Sequence, residues 1–261
     1  MPSNHAPLPL EPFASKTLSF SDLAHPAVAP TAGRLKRFAL RLGLAGTPFA
    51  VNGILRWRLW VQKHKLWEYA RGAAFLQAAC EGRASQPGGE SRRVLDFGGG
   101  ATLPVLYLAS LGWEVLSLDI SPALTEWTNA LARRHDWKLL GSTHDLTRSA
   151  LSAELGGPFD AAVSFSVLEE LPAELQQPLL RRLAALLKPG GVLALTFDYG
   201  ADAPAPAAVR APAQVEEWVA ATGLRFAAGD GFVDTGERFV LDRRFPDRRF
   251  AFASLFLRKP G

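Results

Sequence analysis

The sequence predicts an α/β fold in which helices cover both faces of a mostly parallel sheet. Three observations lead to this prediction. Apolar, β-rich runs alternate with helical segments between residues 93 and 197, a glycine cluster follows the first run, and the closing segment changes to consecutive strands. Strands that alternate with helices imply right-handed crossovers and parallel neighbours. At 261 residues, the chain has room for one such domain plus an extension.

The region before the α/β domain is predicted to consist of a flexible arm and a helical cap. Residues 1–32 are rich in Pro, Ser and Ala, which predicts a flexible arm. Residues 33–88 are predicted to form a helical cap that leads into the domain, with apolar residues at helical spacing and a second helix from about Gly53 to Cys80. The domain itself is predicted to span residues 89–261.

Five strands and three helices are predicted in the parallel part of the domain. The strands, of which the third is the weakest, are Arg93–Phe97, Glu114–Ile120, Trp137–Gly141, Asp160–Phe165 and Gly191–Phe197. The helices are Leu103–Leu111, Pro122–His135 and Pro172–Leu187.

The tail predicts an antiparallel end to the sheet. A helix at Ala213–Thr222 ends at Gly223. The strands predicted after it are Arg225–Ala228, Gly236–Leu241 and Phe250–Leu257, the last two joined by a hairpin connection at residues 243–249.

Charge is distributed unevenly along the chain. The formal net charge is +4, yet no Asp or Glu lies between Asp22 and Glu68, where eight cations occur: Arg34, Lys36, Arg37, Arg41, Arg56, Arg58, Lys63 and Lys65. Such a field favours an anionic substrate, a nucleic-acid backbone or an anionic membrane surface. A solvated helix face explains the same residues, and both interpretations stay open.

The cysteine content and the lengths of the apolar runs exclude several classes of protein. Cys80, the single cysteine, excludes an internal disulfide and a multi-cysteine zinc site, and its apolar surroundings predict a buried thiol. No secretory signal is recognised at the start, and no apolar run reaches the ~20 residues of a membrane span. A cytoplasmic protein without a transmembrane segment is therefore expected.

Gly98, Gly99 and Gly100 lie where the first strand passes into a helix, which is typical of a loop that holds a nucleotide. The helix that follows presents free N–H groups at its N-terminus. Asp119 ends the next strand about twenty residues later, where nucleotide-binding folds place a carboxylate for two ribose hydroxyls. Together these residues predict a nucleotide-type cofactor pocket.

Asp145 is the next polar residue at the end of a strand. Its carboxylate can accept from an adenine amine, and it is equally well explained as a turn residue. His144 beside it is expected to be structural, because no cluster of further ligands accompanies it and no metal site is predicted.

Five motifs in this order resemble the class I S-adenosylmethionine-dependent methyltransferases, in particular those that act on small molecules. They are Val94–Gly100, Leu118–Ser121, His144–Leu146, Phe159–Leu171 and Leu187–Gly191. The resemblance implies a Rossmann-like three-layer sandwich with seven strands, the last antiparallel. It also implies S-adenosyl-L-methionine as the cofactor and a small-molecule methyl acceptor as the partner.

The resemblance also implies positions for the cofactor. The methionine part of the cofactor would lie at Asp96 and the glycine loop, and its ribose would lie at Asp119. The adenine would lie between Ile120, Asp145 and Leu146. The sulfonium would lie near Phe165 and Ser166. The segment 65–71 resembles a lead-in helix whose Tyr69 and Arg71 would reach the carboxylate end, although aromatic packing explains it equally well. Two departures stand out: Thr102 replaces a further glycine, and Glu170 replaces a histidine common in small-molecule members.

No catalytic residue is identified from the sequence. Candidate bases near the expected mouth are Glu169, Glu170, Asp198, Tyr199 and His64, and nothing in the sequence distinguishes them. The acceptor is expected to be small and of anionic character, without a strong nucleic-acid signal.

Three alternative functions stay open. A nicotinamide-dependent reductase would use a similar loop, although a Tyr-x-x-x-Lys pair is missing and the glycine spacing differs. A nucleic-acid- or membrane-associated protein would use the basic, Trp-rich N-terminal region. A cofactor-binding homologue without activity is the third.

Overall fold

An eight-stranded sheet lies at the centre of the computed structural model, which describes residues 11–80, 92–242 and 246–261. The strands of this sheet are β1 (Lys16–Thr17), β4 (Arg93–Phe97), β5 (Glu114–Asp119), β6 (Leu139–Thr143), β7 (Phe159–Phe165), β8 (Leu187–Tyr199), β9 (Arg225–Phe226) and β10 (Ala251–Arg258). A separate hairpin is formed by β2 (Phe49–Val51) and β3 (Ile54–Arg56). The helices are α1 (Ala29–Leu44), α2 (Lys63–Cys80), α3 (Leu103–Ser110), α4 (Pro122–His135), α5 (Ala173–Ala185) and α6 (Pro212–Thr222).

The strand order confirms the predicted Rossmann-like α/β architecture. Strands run in the order β1-β10-β8-β7-β4-β5-β6, and β9 also pairs with β10. The five strands from β8 to β6 are parallel, and β10 pairs antiparallel with β8. The sheet has eight strands rather than seven because the N-terminal β1 adds to its edge.

Two apolar cores cover the two faces of the sheet. On one face, α1, α2 and α3 pack against Val192 and Ala194 of β8 and Phe256 of β10. On the other face, α5 and α6 pack against Leu193 and Leu195 of β8 and other residues. Successive residues of β8 therefore face opposite layers, as the two-residue period of a strand requires. This alternation decides which side chains of β8 can face α2.

Residues 11–32 differ from the predicted flexible arm. β1 pairs with β10, and α1 already begins at Ala29. Phe13 is buried against Phe75 and Phe256, with ring centroids 5.9 and 6.4 Å apart. Burial of apolar side chains holds this segment on the sheet, even though its Pro-rich composition suggested otherwise. Residues 1–10 and the predicted boundary at 88 and 89 lie outside the described residues.

The second predicted helix begins ten residues later than predicted. Its expected start at Gly53 is the turn of the β2–β3 hairpin, and α2 begins at Lys63. Asn52 and Gly53 both have positive φ, 51° and 69°. Asn-Gly is the preferred pair for a two-residue hairpin turn because both residues tolerate this conformation. The predicted helix start at Gly53 is therefore wrong, because Asn52-Gly53 is a local signal for a hairpin turn.

The tail is less regular than predicted. Residues 236–241 form no strand, and only an isolated bridge joins Phe239 to Phe250. Packing of Phe239 on Phe20, with centroids 4.8 Å apart, holds this stretch instead of a ladder. Three residues of the predicted hairpin connection, 243–245, lie outside the described residues.

Two further features concern membranes and metals. Within the described ranges, no helix combines the length and the hydropathy needed to cross a membrane. In the same ranges, no group of three or more His, Cys, Asp or Glu side chains is placed to hold a metal ion.

Candidate functional site

The site lies where the parallel strands end. β5 and β7 flank β4 on opposite sides, so the chain reverses its direction of winding at β4. In open α/β sheets such a switch point leaves a crevice outside the carboxyl ends of the strands. The glycine loop after β4 and the polar ends of β5, β7 and β8 meet there.

The glycine loop needs glycine because protein atoms already fill the space of a Cβ. Gly98 has φ +76° and donates its N–H to the Leu118 carbonyl at 2.7 Å. A Cβ at Gly98 would lie 2.6 Å from a methyl carbon of Val167, and one at Gly99 would lie 2.3 Å from the Asp96 carboxylate. The loop is therefore closed tightly onto its neighbours.

Asp96 is a buried carboxyl group with one oxygen left unpaired. Its Oδ2 accepts from Ser117 Oγ at 2.7 Å and from Gly99 N–H at 3.1 Å. Its Oδ1 is buried and has no hydrogen-bond partner among the described residues. Burial raises the pKa of Asp96 to about 7; hydrogen bonds from Ser117 and Gly99 oppose this rise, and the nearby Asp119 adds to it. A ligand ammonium group would satisfy Oδ1 and favour the ionised form.

Asp119 ends β5 beside the loop, as predicted. Its Oδ2 accepts from Gly100 N–H at 3.1 Å, and its Oδ1 accepts from Ser121 N–H at 2.8 Å. A carboxylate has about four acceptor positions, so each oxygen can still accept one bond from a ligand. Ile120, which follows directly, is 73% exposed and free to pack against a planar group. The proximity of the loop and Asp119 was the central geometric expectation from the sequence, and the structure has it.

Asp145 and Leu146 already have roles within the protein. The Asp145 carboxylate accepts from the side chain and backbone N–H of Thr147 at 2.6 and 2.9 Å and pairs with Arg148 at 3.1 Å. The hydrogen bond from the Thr147 hydroxyl is the main cause that lowers the pKa of Asp145. Leu146 is buried in the core below the site. Asp145 is thus a turn residue, and the adenine contacts of both residues stay predictions.

A buried cluster of polar side chains lies across the site, between α2 and the ends of β7 and β8. We call Lys65, Glu68, Ser166 and Thr196 the Lys65 cluster. Glu68 Oε2 accepts from Ser166 Oγ at 2.6 Å and from Thr196 Oγ1 at 2.8 Å. Lys65 Nζ lies 3.0 Å from Glu68 Oε1 and donates to Ser166 Oγ at 3.0 Å.

The Lys65 cluster holds a permanent cation. Burial acts to lower the pKa of Lys65, but the charge and hydrogen bond of Glu68, together with Tyr69 and Glu169, outweigh it, and the pKa is raised. Ser166, at the end of β7, has φ +54°, a conformation that costs energy for a residue other than glycine. Of the four residues, only Ser166 was predicted as a site residue. Lys65 and Glu68 are both buried in α2, and the sequence has no signal that distinguishes them from charged residues of a helix face exposed to solvent.

Phe165 and Tyr69 form the wall beside this cluster. A Cβ at Gly72 would lie 2.5 Å from the Phe165 ring, so α2 can approach β7 only because this residue is glycine. Tyr69 meets Phe165 edge to face with centroids 6.1 Å apart. Burial raises the pKa of Tyr69 to about 12, which keeps its hydroxyl protonated at neutral pH.

Arg71 does not take part in the site, contrary to the suggestion that it reaches the cofactor carboxylate. Its guanidinium donates to the Ala14 carbonyl at 2.7 Å and pairs with Asp22 at 3.3 Å. Residues two apart on a helix face different directions, so Tyr69 and Arg71 cannot serve one group. Arg71 instead holds the N-terminal segment against α2.

The structure distinguishes among the five candidate bases. Tyr199 donates its hydroxyl to Asp234 at 3.1 Å, and Glu170 is exposed. Glu169 is buried, and its Oε1 accepts from the backbone N–H of Asp198 at 3.2 Å. Burial, with a further contribution from Asp198, raises the pKa of Glu169 well above its usual value.

Asp198 and His64 are the two candidates beside the Lys65 cluster. Burial raises the pKa of Asp198 to about 7, opposed by the charge of Lys65, and no donor among the described residues contacts its carboxylate. Asp198 lies opposite Phe252 across the β8–β10 pair. Lys65 Nζ lies 4.6 Å from the centroid of the Phe252 ring, and His64 stacks on that ring at 5.4 Å. Burial lowers the pKa of His64, so its imidazole is neutral at pH 7.

A narrow crevice with room for about one water molecule borders Lys65. We call it the hairpin crevice, since it opens between the β2–β3 hairpin and α2, and its lining residues are Phe49, Val51, Arg58, Trp60, Val61, Gln62, Lys65 and Tyr69. The hairpin also touches the glycine loop, where Ala50 N–H donates to the Ala101 carbonyl at 2.8 Å. One element therefore borders both the loop and the crevice.

Comparison with known proteins identifies the family. A profile of the methyltransferase domain family matches residues 58–255. The ubiquinone biosynthesis O-methyltransferase of Xanthomonas campestris is 36% identical over 116 residues, which are 44% of this chain and 45% of that protein. The chain thus matches less than half the length of this curated relative.

Solved structures share the fold. A 1,6-didemethyltoxoflavin-N1-methyltransferase from Burkholderia thailandensis, with bound S-adenosylhomocysteine, has a TM-score of 0.53 at 17% identity, covering 90% of this chain and 91% of that one. The [4+2]-cyclase SpnF has a TM-score of 0.53 at 18% identity, covering 87% and 94%. At such identities the likeness concerns the fold alone.

Proposed function

Since the chain belongs to the methyltransferase domain family, we propose that it transfers a methyl group from S-adenosylmethionine to a small acceptor. The observation that carries this proposal is the unpaired, buried Oδ1 of Asp96 next to a glycine loop whose Gly100 N–H is bonded to Asp119. When bound, S-adenosylmethionine supplies a methyl group made electrophilic by its sulfonium. The protein then has to bind, align and exclude water.

The residues at the loop fit the parts of the cofactor. Asp96 Oδ1 would accept from the ammonium of the methionine part, and the free acceptor positions of Asp119 would bind the ribose hydroxyls. Ile120 is exposed beside Asp119, where it would cover one face of the adenine. Phe165 and Ser166 would border the methyl group from the side of β7.

The acceptor would bind at the hairpin crevice, which would have to widen because it has room for only about one water molecule. Its walls are mainly apolar and aromatic, and Lys65 is its buried cation. An acceptor oxygen that binds near Lys65 would be stabilised as an anion, which lowers its pKa and makes it a better nucleophile. This arrangement favours a small acceptor with an ionisable oxygen.

Asp198 would accept the proton of the acceptor. A base is most effective when its pKa lies near the working pH, and burial brings the pKa of Asp198 to about 7. Its carboxylate is free of donors among the described residues, so it can bond to an acceptor hydroxyl. The buried Glu169 would position Asp198 through the bond to its backbone N–H. The cytoplasm stays the predicted compartment for this reaction.

Calorimetry with S-adenosylhomocysteine tests the cofactor assignment. The wild-type chain should bind it, and Asp96→Asn should bind it about tenfold or more weakly, because a charge-assisted hydrogen bond is lost. Tight binding of NAD without binding of S-adenosylhomocysteine would replace the proposal with a reductase.

Methyl transfer itself is tested by release of S-adenosylhomocysteine in the presence of phenols, carboxylic acids and amines. We expect turnover with an oxygen acceptor. Asp198→Asn should lower kcat by about 10²-fold or more and remove the rise of the rate through pH 7. Cofactor binding without turnover of any of these acceptors would contradict the proposed activity and would leave a binding homologue.

A further inference from the structure

We propose that the surface around the β2–β3 hairpin docks the protein on an anionic membrane. This docking surface consists of Leu40, Leu44, Ile54, Trp57 and Trp60 together with Arg37, Arg41 and Arg56. The proposal stands on exposure, contiguity and charge, and it does not depend on the methyl-transfer reaction.

The apolar members of the docking surface are unusually exposed for their type. The exposed fractions are 43% for Leu40, 74% for Leu44, 55% for Ile54, 59% for Trp57 and 63% for Trp60. Half of the ten exposed large hydrophobic residues in the described ranges thus fall within 21 positions of the chain. Single exposed apolar residues need no explanation, but a concentration of this kind marks an interaction site.

The packing of α1 against the segment after β3 makes the surface continuous. On α1, Arg37, Leu40, Arg41 and Leu44 follow the spacing of one helix face. Trp57 donates its indole N–H to the Gly43 carbonyl at 2.7 Å, and the Arg58 carbonyl oxygen lies only 2.4 Å from where a Gly43 Cβ would be. Close packing at Gly43 therefore places Trp57 beside the end of α1.

The hairpin continues this surface toward Trp60. Ile54 pairs directly with Val51 across the two strands, so their side chains are neighbours. Val51 and Trp60 line the same hairpin crevice. Ile54 and Trp60 are thereby connected through Val51.

The charge of the region selects an anionic partner. The eight cations between Asp22 and Glu68 have no acidic residue among them in the chain, and six of them are exposed: Arg34, Lys36, Arg37, Arg41, Arg56 and Lys63. Each cation near an anionic lipid surface contributes roughly 1 kcal/mol to binding. Tryptophan is enriched where bilayers meet water, because its ring is apolar and its N–H is polar.

Two other occupants explain the surface less well. Leu40, Leu44 and Ile54 can neither stack on a base nor form hydrogen bonds with one, so they would add nothing to a nucleic-acid site. A second copy bound through the same patch would bring identical cations opposite each other. A membrane accounts for both kinds of residue, because the aliphatic side chains can be buried between lipid headgroups and the cations are attracted to anionic lipids.

Docking would turn the hairpin crevice toward the lipid. Trp60 is both 63% exposed and part of the crevice lining, so the crevice opens within the docking surface. If the proposed function holds, an acceptor dissolved in the membrane would reach Lys65 without crossing water. The docking itself can be tested without any acceptor.

Sedimentation of the full chain with vesicles tests the proposal. Vesicles of phosphatidylcholine mixed with phosphatidylserine should retain the protein, pure phosphatidylcholine should retain it far less, and high salt should release it. Arg41→Gln combined with Arg56→Gln should weaken binding about fivefold per cation removed. Leu44→Ala combined with Ile54→Ala should weaken it about tenfold or more, because less apolar surface is buried.

Controls keep the test decisive. Arg148→Gln and Val233→Ala alter an exposed cation and an exposed apolar residue that are not part of the docking surface, and should leave vesicle binding unchanged. Because Leu44 and Ile54 are exposed, their variants should keep the melting temperature of the wild type; a variant of Trp57 would also lose its bond to Gly43. Calorimetry with S-adenosylhomocysteine on the same variants reports the proposed function separately.

Three outcomes would overturn the proposal. They are failure to sediment with anionic vesicles at low salt, binding that the two double variants leave intact, and tighter binding to mixed RNA than to vesicles. A concentration-dependent dimer that the Leu44→Ala and Ile54→Ala variant abolishes, without vesicle binding, would assign the surface to a second copy.

Discussion

The two halves of the candidate site are built in different ways. In the cofactor half, Asp96 and Asp119 are held by Gly99, Ser117 and Gly100, partners 3, 21 and 19 residues away in the chain. In the acceptor half, Glu68 and Lys65 are held by Ser166 and Thr196, at separations of 98, 101 and 128 residues. The first half rests on two backbone N–H groups of the loop and the Ser117 hydroxyl, all within about twenty residues of their acceptors, and the second on side chains from three elements.

This difference decides what each half needs from the rest of the protein. The backbone donors of the cofactor half are present wherever the strand, loop and helix form. The Lys65 cluster exists only when α2 has packed on the sheet, which requires Gly72 against Phe165 and the N-terminal contacts of Arg71. Changes in the acceptor half should therefore affect stability, whereas changes in the cofactor half should affect binding.

The largest expected effect is on stability, in the acceptor half. Lys65→Met removes the partner of the fully buried Glu68 and should lower the free energy of unfolding by about 3–5 kcal/mol. Urea unfolding measures this loss. Arg148→Met, which breaks the exposed pair with Asp145, is the matched control and should change stability by less than about 1 kcal/mol.

A double variant sharpens the same test. Lys65→Met combined with Glu68→Gln removes both charges and should be less destabilised than the sum of the two single variants. If the losses of stability of the two single variants simply add up in the double variant, Lys65 and Glu68 are not coupled. The proposed difference between the cofactor half and the acceptor half would then be wrong.

The next effect is on cofactor binding, in the other half. Asp119→Ala should weaken the binding of S-adenosylhomocysteine about 100-fold, because two bonds to a charged acceptor are lost. Asp145→Ala should weaken it by less than about threefold, since Thr147 and Arg148 already occupy this carboxylate. Calorimetry compares the two variants. Equal losses would show that Asp145 contacts the adenine directly.

The buried carboxyl groups should make the free energy of unfolding depend on pH. The pKa of Asp96 is about 7 in the folded chain and about 3.9 in the unfolded chain. Between these values the folded state holds more protons, so stability should fall as pH rises from about 4 to about 7, by roughly 1 kcal/mol per pH unit.

Asp96→Asn removes this contribution and should flatten the dependence, as should Asp198→Asn in the acceptor half. Guanidinium unfolding at several pH values measures the slopes. A slope that stays the same in Asp96→Asn would mean that its carboxyl group is ionised throughout this range.

The smallest effect concerns the hairpin that borders both halves. Gly53→Ala places a side chain at φ +69° and should cost about 1 kcal/mol. Gly33→Ala makes the same chemical change inside α1, where alanine is favoured, and should stabilise by up to about 1 kcal/mol. Opposite shifts of the melting temperature are expected. Shifts of the same sign would contradict the assigned turn.

The sequence by itself determined the parts of this protein that depend on interactions between residues close together in the chain. Alternation of strand and helix, the glycine loop and the acidic end of β5 all follow from residues within about twenty positions, and the structure has them where they were predicted. The Asn52-Gly53 turn belongs to the same class, since its signal lies in two adjacent residues. Local chemistry suffices because backbone geometry and backbone donors act between near neighbours.

Only the tertiary structure decided the acceptor half and the N-terminal packing. A Lys and a Glu in α2 look alike whether they face solvent or Ser166. The candidate bases look alike until burial separates Asp198 from the exposed Glu170 and a hydrogen bond to Asp234 occupies Tyr199. The Pro-rich segment is likewise held by contacts that are far away in the chain, among them Phe75, Phe256 and the pairing of β1 with β10. Burial is a property of the packed chain, and it sets both the pKa of a side chain and the free energy gained from its contacts.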